Sequence, residues 1–429
     1  MTLFHVEDEK IRNLLLEGKF GLERETLRVT ADARMAHTLH PFYDHPNIVR
    51  DFSENQTEIN TSVRDSIDGC LAELKKHSDY IQKVLSELPE REYLWPFSNP
   101  PYILNESDIP IAQFDGNQKK KTKYREYLSD RYGRYKMTFS GIHFNFSFSS
   151  ELLEADFKLS GETDFRKYKD HIYVVLAERA AAYGWILVSL TAASPWVDSS
   201  FIEKGNFGRG VFSGMASLRC SELGYWNFFA PILGYDSVQD YVTKIQNYVD
   251  EAWIESPSEF YYPIRLKPDG ENTLENLQES GVNHIELRMF DLNPLSELLI
   301  DKRDLQFAHL LLVWLISTPR QPFATKDQVQ AIQNFKNAAR YDLKTVKIVV
   351  PNGEVYSVAD AGLKVISFMK DFYRDFPDWV KDILEFEENK FLNPHERYAW
   401  KIRDMYTGNY VEKGLQLAKK LQETTIRVK

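Results

Sequence analysis

The stretch Gly141–Phe148, GIHFNFSF, alternates without interruption. Ile142, Phe144, Phe146 and Phe148 take one parity, and Gly141, His143, Asn145 and Ser147 the other. Successive side chains of a strand point to opposite faces, and residues i and i+2 share a face about 7 Å apart. The segment therefore reads as a strand with one wholly apolar face and one polar face that carries an imidazole. Such a strand asks for a sheet with one side packed on helices and the other side lining a polar cleft.

Three more segments repeat the pattern. In GLERETLRV, Gly21–Val29, Glu23 and Glu25 point the same way. In RDFSENQTEIN, Phe52, Glu54, Gln56 and Glu58 share a face if the chain stays extended. In VNHIELRMFDLNP, Glu286 and Arg288 share a face with His284, while Ile285, Leu287 and Met289 back it. Each segment also has a plainer reading. Glu23 and Glu25 suit a solvated face, Glu54 and Glu58 an exposed helix start, His143 a hydrogen-bonded structural histidine, and Glu286 with Arg288 a cross-strand ion pair. Recurrence favours a shared site.

Carboxylates are charged at neutral pH, and several in one cleft repel unless cations sit among them. Hard oxygen ligands with one or two histidines suit Mg²⁺, with Mn²⁺ as an alternative. Arg24, Arg28, Arg125, Arg219 and Arg288 then read as clamps on phosphate or carboxylate. Divalent ions plus arginines are the usual means of handling a nucleoside triphosphate. No G-x-x-x-x-G-K-[ST] motif occurs, so a P-loop is excluded.

The rest of the chain frames this cleft. Ile67, Leu71, Leu74, Ile81, Leu85 and Leu88 recur at helical spacing and Pro89 ends the run. WPFSNPPYI, Trp95–Ile103, predicts a rigid extended loop, and Asp164–Leu190 a long helix bent or weakened at Gly184. GNFGRGVFSG, Gly205–Gly214, reads as a mobile lid or connector, and KKKTKYR, Lys119–Arg125, as a solvated run whose final arginine reaches the cleft. Helices are expected over Lys302–Ile316, Lys326–Arg340, about Ala359–Arg374 and Asp404–Gln422. Strands before about Asn293 and helices after it predict an α+β fold, one domain over 1–429 with a helical portion from about 302 to 429.

A formal charge of −10 argues against a nucleic-acid partner. The N-terminus lacks the basic start and apolar core of a secretory leader, and the longest apolar run in the C-terminal half, Leu310–Ile316, is too short for a membrane span. Two cysteines, Cys70 and Cys220, imply neither a disulfide framework nor a thiolate zinc site. A cytoplasmic protein acting on small molecules is expected.

GLERETLRV, DFSENQTE, WPFSNPPYI, YREYLSDRYG, FSGIHFNFS, SLRCSELGYWN and IELRMFDLNP occur in the order and approximate spacing of the bacterial glutamate–cysteine ligase family. The chain resembles its proteobacterial type and the N-terminal part of bifunctional glutathione-synthesising enzymes, over roughly Gly18–Leu315. The resemblance implies a glutamine synthetase-like fold, a curved, mainly antiparallel sheet forming a funnel with helices outside. It implies ATP-dependent phosphorylation of the glutamate γ-carboxylate, then attack by the cysteine amine to give γ-glutamylcysteine.

By the same resemblance, Glu23, Glu25, Asp51, Glu58, His143 and Glu286 match the metal ligands. Arg125 and Arg288 match arginines facing the transferred phosphoryl group or reacting carboxylate, and Arg219 the grip on the glutamate α-carboxylate. Tyr225, Tyr261 and Arg265 match the acceptor's carboxylate site, and Phe52, Tyr124, Leu128 and Met137 the pocket for its side chain. Met137 departs from the family pattern, which has glutamine there; a thioether cannot donate the amide's hydrogen bonds. That departure keeps open a γ-glutamyl ligase with another amine acceptor, alongside a silent paralogue that only binds nucleotide or amino acid. With no ATP-grasp extension after Lys429, the dipeptide is the expected product.

Overall fold

The computed structural model describes residues 3–204, 206, 208–319 and 323–427. Its main sheet is antiparallel and open, in the order β2–β3–β1–β5–β9–β8, with β4 on the far end of β1. The strands are β1 (Gly18–Val29), β2 (Ile48–Arg50), β3 (Gln56–Asn60), β4 (Tyr93–Leu94), β5 (Gly141–Phe148), β8 (Ile264–Lys267) and β9 (His284–Asp291); the pair β6 (Trp196–Asp198) and β7 (Gly210–Phe212) stands apart. The α+β arrangement, with helices against one face, is as expected.

Parity sets that face. Phe20 and Leu22 of β1, Ile142, Phe144, Phe146 and Phe148 of β5, and Ile285 and Leu287 of β9 all enter one buried apolar cluster. The helices Ile67–Glu87, Phe165–Tyr183 and Lys302–Ser317 contribute to the same cluster. Lys302–Ser317 is apolar almost all round, as a helix enclosed by other helices must be.

Arg24 and Arg28 share the parity of Phe20 and Leu22, and this corrects their reading as clamps. Both are fully buried on the helix side. Arg24 donates to the Leu298 carbonyl at 3.1 Å and to Ser78 Oγ at 2.5 Å. Arg28 pairs with Glu92 at 2.6 Å and donates to the Thr38 and Glu54 carbonyls at 2.9 and 2.8 Å. Each guanidinium ties β1 to elements behind it, and burial pushes the Arg24 group down to about 10.

The expected Asp164–Leu190 helix is two, Phe165–Tyr183 and Trp185–Thr191, bent by 55° at Gly184. A side chain at Gly184 would lie 2.5 Å from the Phe335 ring and 2.7 Å from the Ala180 carbonyl. The bent pair is long and apolar, yet it lies within the core; among the described residues no single helix is long and apolar enough to cross a membrane.

Trp95–Ile103 is a buried loop that bends at Phe97–Asn99 instead of running extended. Trp95 Nε1 donates to the Asn99 carbonyl at 2.8 Å, and Asn99 Nδ2 pins the loop to the Ser194 and Trp196 carbonyls at 3.0 and 2.7 Å. Gly205–Gly214 departs from the loop expectation, because Gly210–Phe212 is a strand paired to Trp196–Asp198; residues 205 and 207 lie outside the described residues. Strands also occur beyond Asn293, in the hairpin Lys347–Val349 and Val355–Ser357. The C-terminal helices are Thr325–Ala338, Val358–Phe372, Asp378–Leu392, Tyr398–Met405 and Tyr410–Arg427. The single Asp404–Gln422 helix of the sequence reading is interrupted near Gly408, whose φ of 96° is left-handed.

Candidate active site

The polar face of the sheet is the floor of a cavity of about 820 Å³. Pairing of β1 with β3 and β5 sets Glu25 opposite Glu58, and Glu23 opposite both Asn60 and His143. Two groups result. Ligand atoms of Glu23, His143 and Glu286 lie within 4.8 Å of one another, and so do those of Glu25, Asp51 and Glu58. His143 joins them, with Nδ1 2.7 Å from Glu23 and Nε2 3.6 Å from Glu25.

The two groups differ in charge balance. Burial alone would raise Glu286, but Arg288, Lys267 and His143 hold it well below the usual carboxylate range. Arg288 Nη1 is 3.1 Å and Lys267 Nζ 3.4 Å from Glu286 Oε1. Glu23 is also lowered: burial and Glu286 push it up, and the hydrogen bond and charge of His143 overcome them. In the second group burial pushes Glu58 well above the usual range, and Asp51, Glu23 and Glu25 add to it. Glu25 is raised by burial and then by Asp51. That group lacks sufficient positive charge of its own.

This donor set fits a hard divalent cation. The atoms are carboxylate oxygens with one imidazole, the Glu25 group is crowded beyond what its surroundings neutralise, and the buried Glu286 Oε2 has no hydrogen-bond partner.

Three of the expected arginines reach the same cavity, which Arg50 also lines. Arg125, on the helix Lys119–Tyr132, donates from Nε to the Asp51 carbonyl at 2.5 Å. Arg219 Nη2 donates to the Arg288 carbonyl at 2.6 Å and lies against Gly141, where a Cβ would fall 2.4 Å from its Cζ. Arg288 sits at a register shift between β5 and β9. Met289 belongs to the apolar cluster with Ile285 and Leu287, as alternation expects, and at that bulge it also borders the cavity.

One wall is aromatic and apolar. Phe52, Tyr124, Leu128, Met137, Tyr225 and Tyr261 line it. The Tyr225 and Tyr261 rings stand 3.9 Å apart. Burial raises both phenols and pushes Tyr124 up to about 12, so these hydroxyls stay protonated as donors. Arg265 is the exception among the expected residues. It faces Glu286 in the β8–β9 register, but its guanidinium turns to the Ser258 and Phe260 carbonyls, beside a separate small cavity.

Glu54 does not join Glu58. The chain turns between Asp51 and Asn55, so Asp51 enters the acidic group while Glu54 pairs with Arg50 at 2.8 Å. Lys267 escaped the sequence reading; a lysine two residues after Arg265 on an alternating strand was the available signal.

The family model for glutamate–cysteine ligase matches residues 3–338. The chain belongs to that family. The glutathione biosynthesis bifunctional protein of Listeria monocytogenes is 36% identical over 436 residues, 98% of this chain and 56% of that protein. The protein of the same name from Clostridium perfringens is 34% identical over 438 residues, 96% and 55% of the two chains. The chain thus spans about half the length of the curated relatives it matches. Among solved structures, a bifunctional glutathione synthetase from Pasteurella multocida superposes with a TM-score of 0.86 at 26% identity, covering 99% of this chain and 55% of that one. A glutamate–cysteine ligase from Francisella tularensis, solved in complex with AMP, has the same fold with a TM-score of 0.86 at 24% identity, covering 95% and 89%.

Proposed function

We propose that this member of the glutamate–cysteine ligase family joins the γ-carboxylate of glutamate to the amino group of cysteine at the expense of ATP. A carboxylate is a poor electrophile. Transfer of the ATP γ-phosphoryl group to the glutamate γ-oxygen creates an acyl phosphate and releases ADP. The amine nitrogen then attacks the acyl carbon, the carbon–oxygen bond to phosphate breaks, and the nitrogen loses a proton. γ-Glutamylcysteine and phosphate leave.

In this reading Glu23, His143 and Glu286, with Glu25, Asp51 and Glu58, hold Mg²⁺ or Mn²⁺, which when bound neutralises and orients the nucleotide's phosphates. Arg125 and Arg288 face the phosphoryl group in flight, where fixed positive charge offsets the repulsion between anions. Arg219 holds the glutamate α-carboxylate. Tyr225 and Tyr261 donate to the acceptor's carboxylate, and Phe52, Tyr124, Leu128 and Met137 enclose its side chain. Holding both reactants in one cavity removes much of the entropic barrier. ATP use and two buried free thiols fit the cytoplasm.

The observation that supports this reading most is the placement of both carboxylate groups and the arginines Arg125, Arg219 and Arg288 around one cavity. The test is ADP release with glutamate and a panel of amines, with the product identified by mass. Cysteine should stimulate release above serine and 2-aminobutyrate. Equal stimulation would point to another acceptor, a reading that Met137 supports, and a phosphorylated amine as product would rule out ligation.

A further inference from the structure

Behind the aromatic wall lies a polar cluster that no role above uses. Glu259 is fully buried, and its carboxylate accepts from Tyr132 Oη at 2.6 Å and from the Glu255 amide at 2.7 Å. Arg131 Nε pairs with it at 2.9 Å. Asn227, also buried, donates from Nδ2 to the Glu259 carbonyl at 2.9 Å and to Tyr132 Oη at 3.3 Å, and its Oδ1 accepts the Tyr261 amide at 2.9 Å.

These contacts join three separate segments. Tyr132 ends the helix that carries Tyr124 and Leu128, Asn227 follows Tyr225 by two residues, and Glu259 precedes Tyr261 by two. The Tyr132 ring itself meets both wall tyrosines edge-on, at 5.7 Å from Tyr225 and 5.5 Å from Tyr261. A buried carboxylate with several charge-assisted bonds fixes its partners far more tightly than apolar contact would.

We infer that Tyr132, Asn227 and Glu259 are positioning residues for the acceptor amino acid: they lock the Tyr225–Tyr261 pair at the spacing the acceptor's carboxylate requires. The inference rests on the assignment of that wall to the acceptor. None of the three lines the cavity, so they act through the two tyrosines. The carboxylates of the glutamate and nucleotide sites stand mostly on β1, β3, β5 and β9. Arg125 lies on the Tyr132 helix two turns earlier and Arg219 six residues before Tyr225, but their guanidinium groups bond to Asp51, Lys121, Phe290 and Arg288 rather than to this cluster.

The test is steady-state kinetics of the wild-type protein, Tyr132→Phe and Glu259→Gln, varying acceptor, glutamate and ATP in turn, with melting temperatures recorded. Tyr132→Phe keeps the ring and removes one hydrogen bond to a buried carboxylate, so KM for the acceptor should rise on the order of tenfold. KM for glutamate and for ATP should stay within about twofold, since neither substrate meets the displaced wall. Glu259→Gln keeps the shape of the side chain and should move the same constant in the same direction; if it melts below the assay temperature, Tyr132→Phe alone decides. An unchanged acceptor KM, or equal rises for all three substrates, would overturn the inference while leaving the ligase reading intact. Wild-type protein with no amine-dependent ADP release would overturn both.

Discussion

Glu25 and Glu58 sit directly opposite one another on neighbouring antiparallel strands, with Asp51 as a third carboxylate within 4.8 Å. Like charges in a cross-strand pair destabilise a sheet, and burial makes this pair costlier still. The arrangement holds together only when protons or cations join it. Added Mg²⁺ should therefore raise the melting temperature of metal-free protein, by an amount equivalent to about 2.7 kcal/mol at a hundred times its Kd. Glu58→Gln should melt higher than wild type without metal and gain little from Mg²⁺. Thermal melts of both proteins across a magnesium series check this.

Gly141 leaves room for Arg219. In Gly141→Ala the new Cβ would press on the guanidinium, the free end of a flexible side chain, so Arg219 should swing aside while the fold survives. The expected outcome is a fall in kcat/KM for glutamate of at least about tenfold, ~1.4 kcal/mol. The melting temperature should change little. Kinetics with varied glutamate, beside a melt, separate the two effects.

Met137 lies on the cavity wall with a thioether that offers no hydrogen-bond donor. Met137→Gln restores an amide there. Discrimination between cysteine and 2-aminobutyrate, measured as the ratio of kcat/KM, should increase by about tenfold, the range expected where a site gains a directed hydrogen bond.

Far from the cavity, Lys390 Nζ is 2.7 Å from Asp304 and 2.8 Å from Glu387, and Tyr398 Oη donates to Asp304 at 3.0 Å. All four groups are buried, two carboxylates to one ammonium. Burial pushes Glu387 well above its ordinary 4.5; Lys390 opposes the shift and Asp304 adds to it. Folded protein thus keeps a proton on Glu387 that unfolded chain releases above 4.5. Stability should fall as pH rises from there towards the folded value, with a slope of at most about 1.4 kcal/mol per pH unit. Glu387→Gln mimics the protonated acid and should flatten that slope. Urea unfolding between pH 5 and 8 reads it directly.

Strand parity is local, and so it was legible. It placed Glu23, Glu25, His143, Glu286 and Arg288 on one face before any pairing was known. What failed depended on distant partners or on a break in alternation. Arg24 and Arg28 looked like clamps because Ser78, Leu298 and Glu92, which hold them behind the sheet, are remote in sequence. Alternation groups Glu54 with Glu58 only if the chain stays extended, and a turn between Asp51 and Asn55 breaks it. Lys267 became visible only when the β8–β9 register brought it to Glu286. The Asp304–Glu387–Lys390 cluster joins helices whose contact no periodicity announces.

The central claim, that the two acidic groups take up divalent cations to bind the nucleotide, is met most directly by calorimetric titration of a non-hydrolysable ATP analogue with and without Mg²⁺. Wild type should bind it only with Mg²⁺ present, and Glu25→Gln and Glu58→Gln should lose most of that heat. Equal binding in the presence of a chelator, or undiminished binding by both variants, would contradict the account.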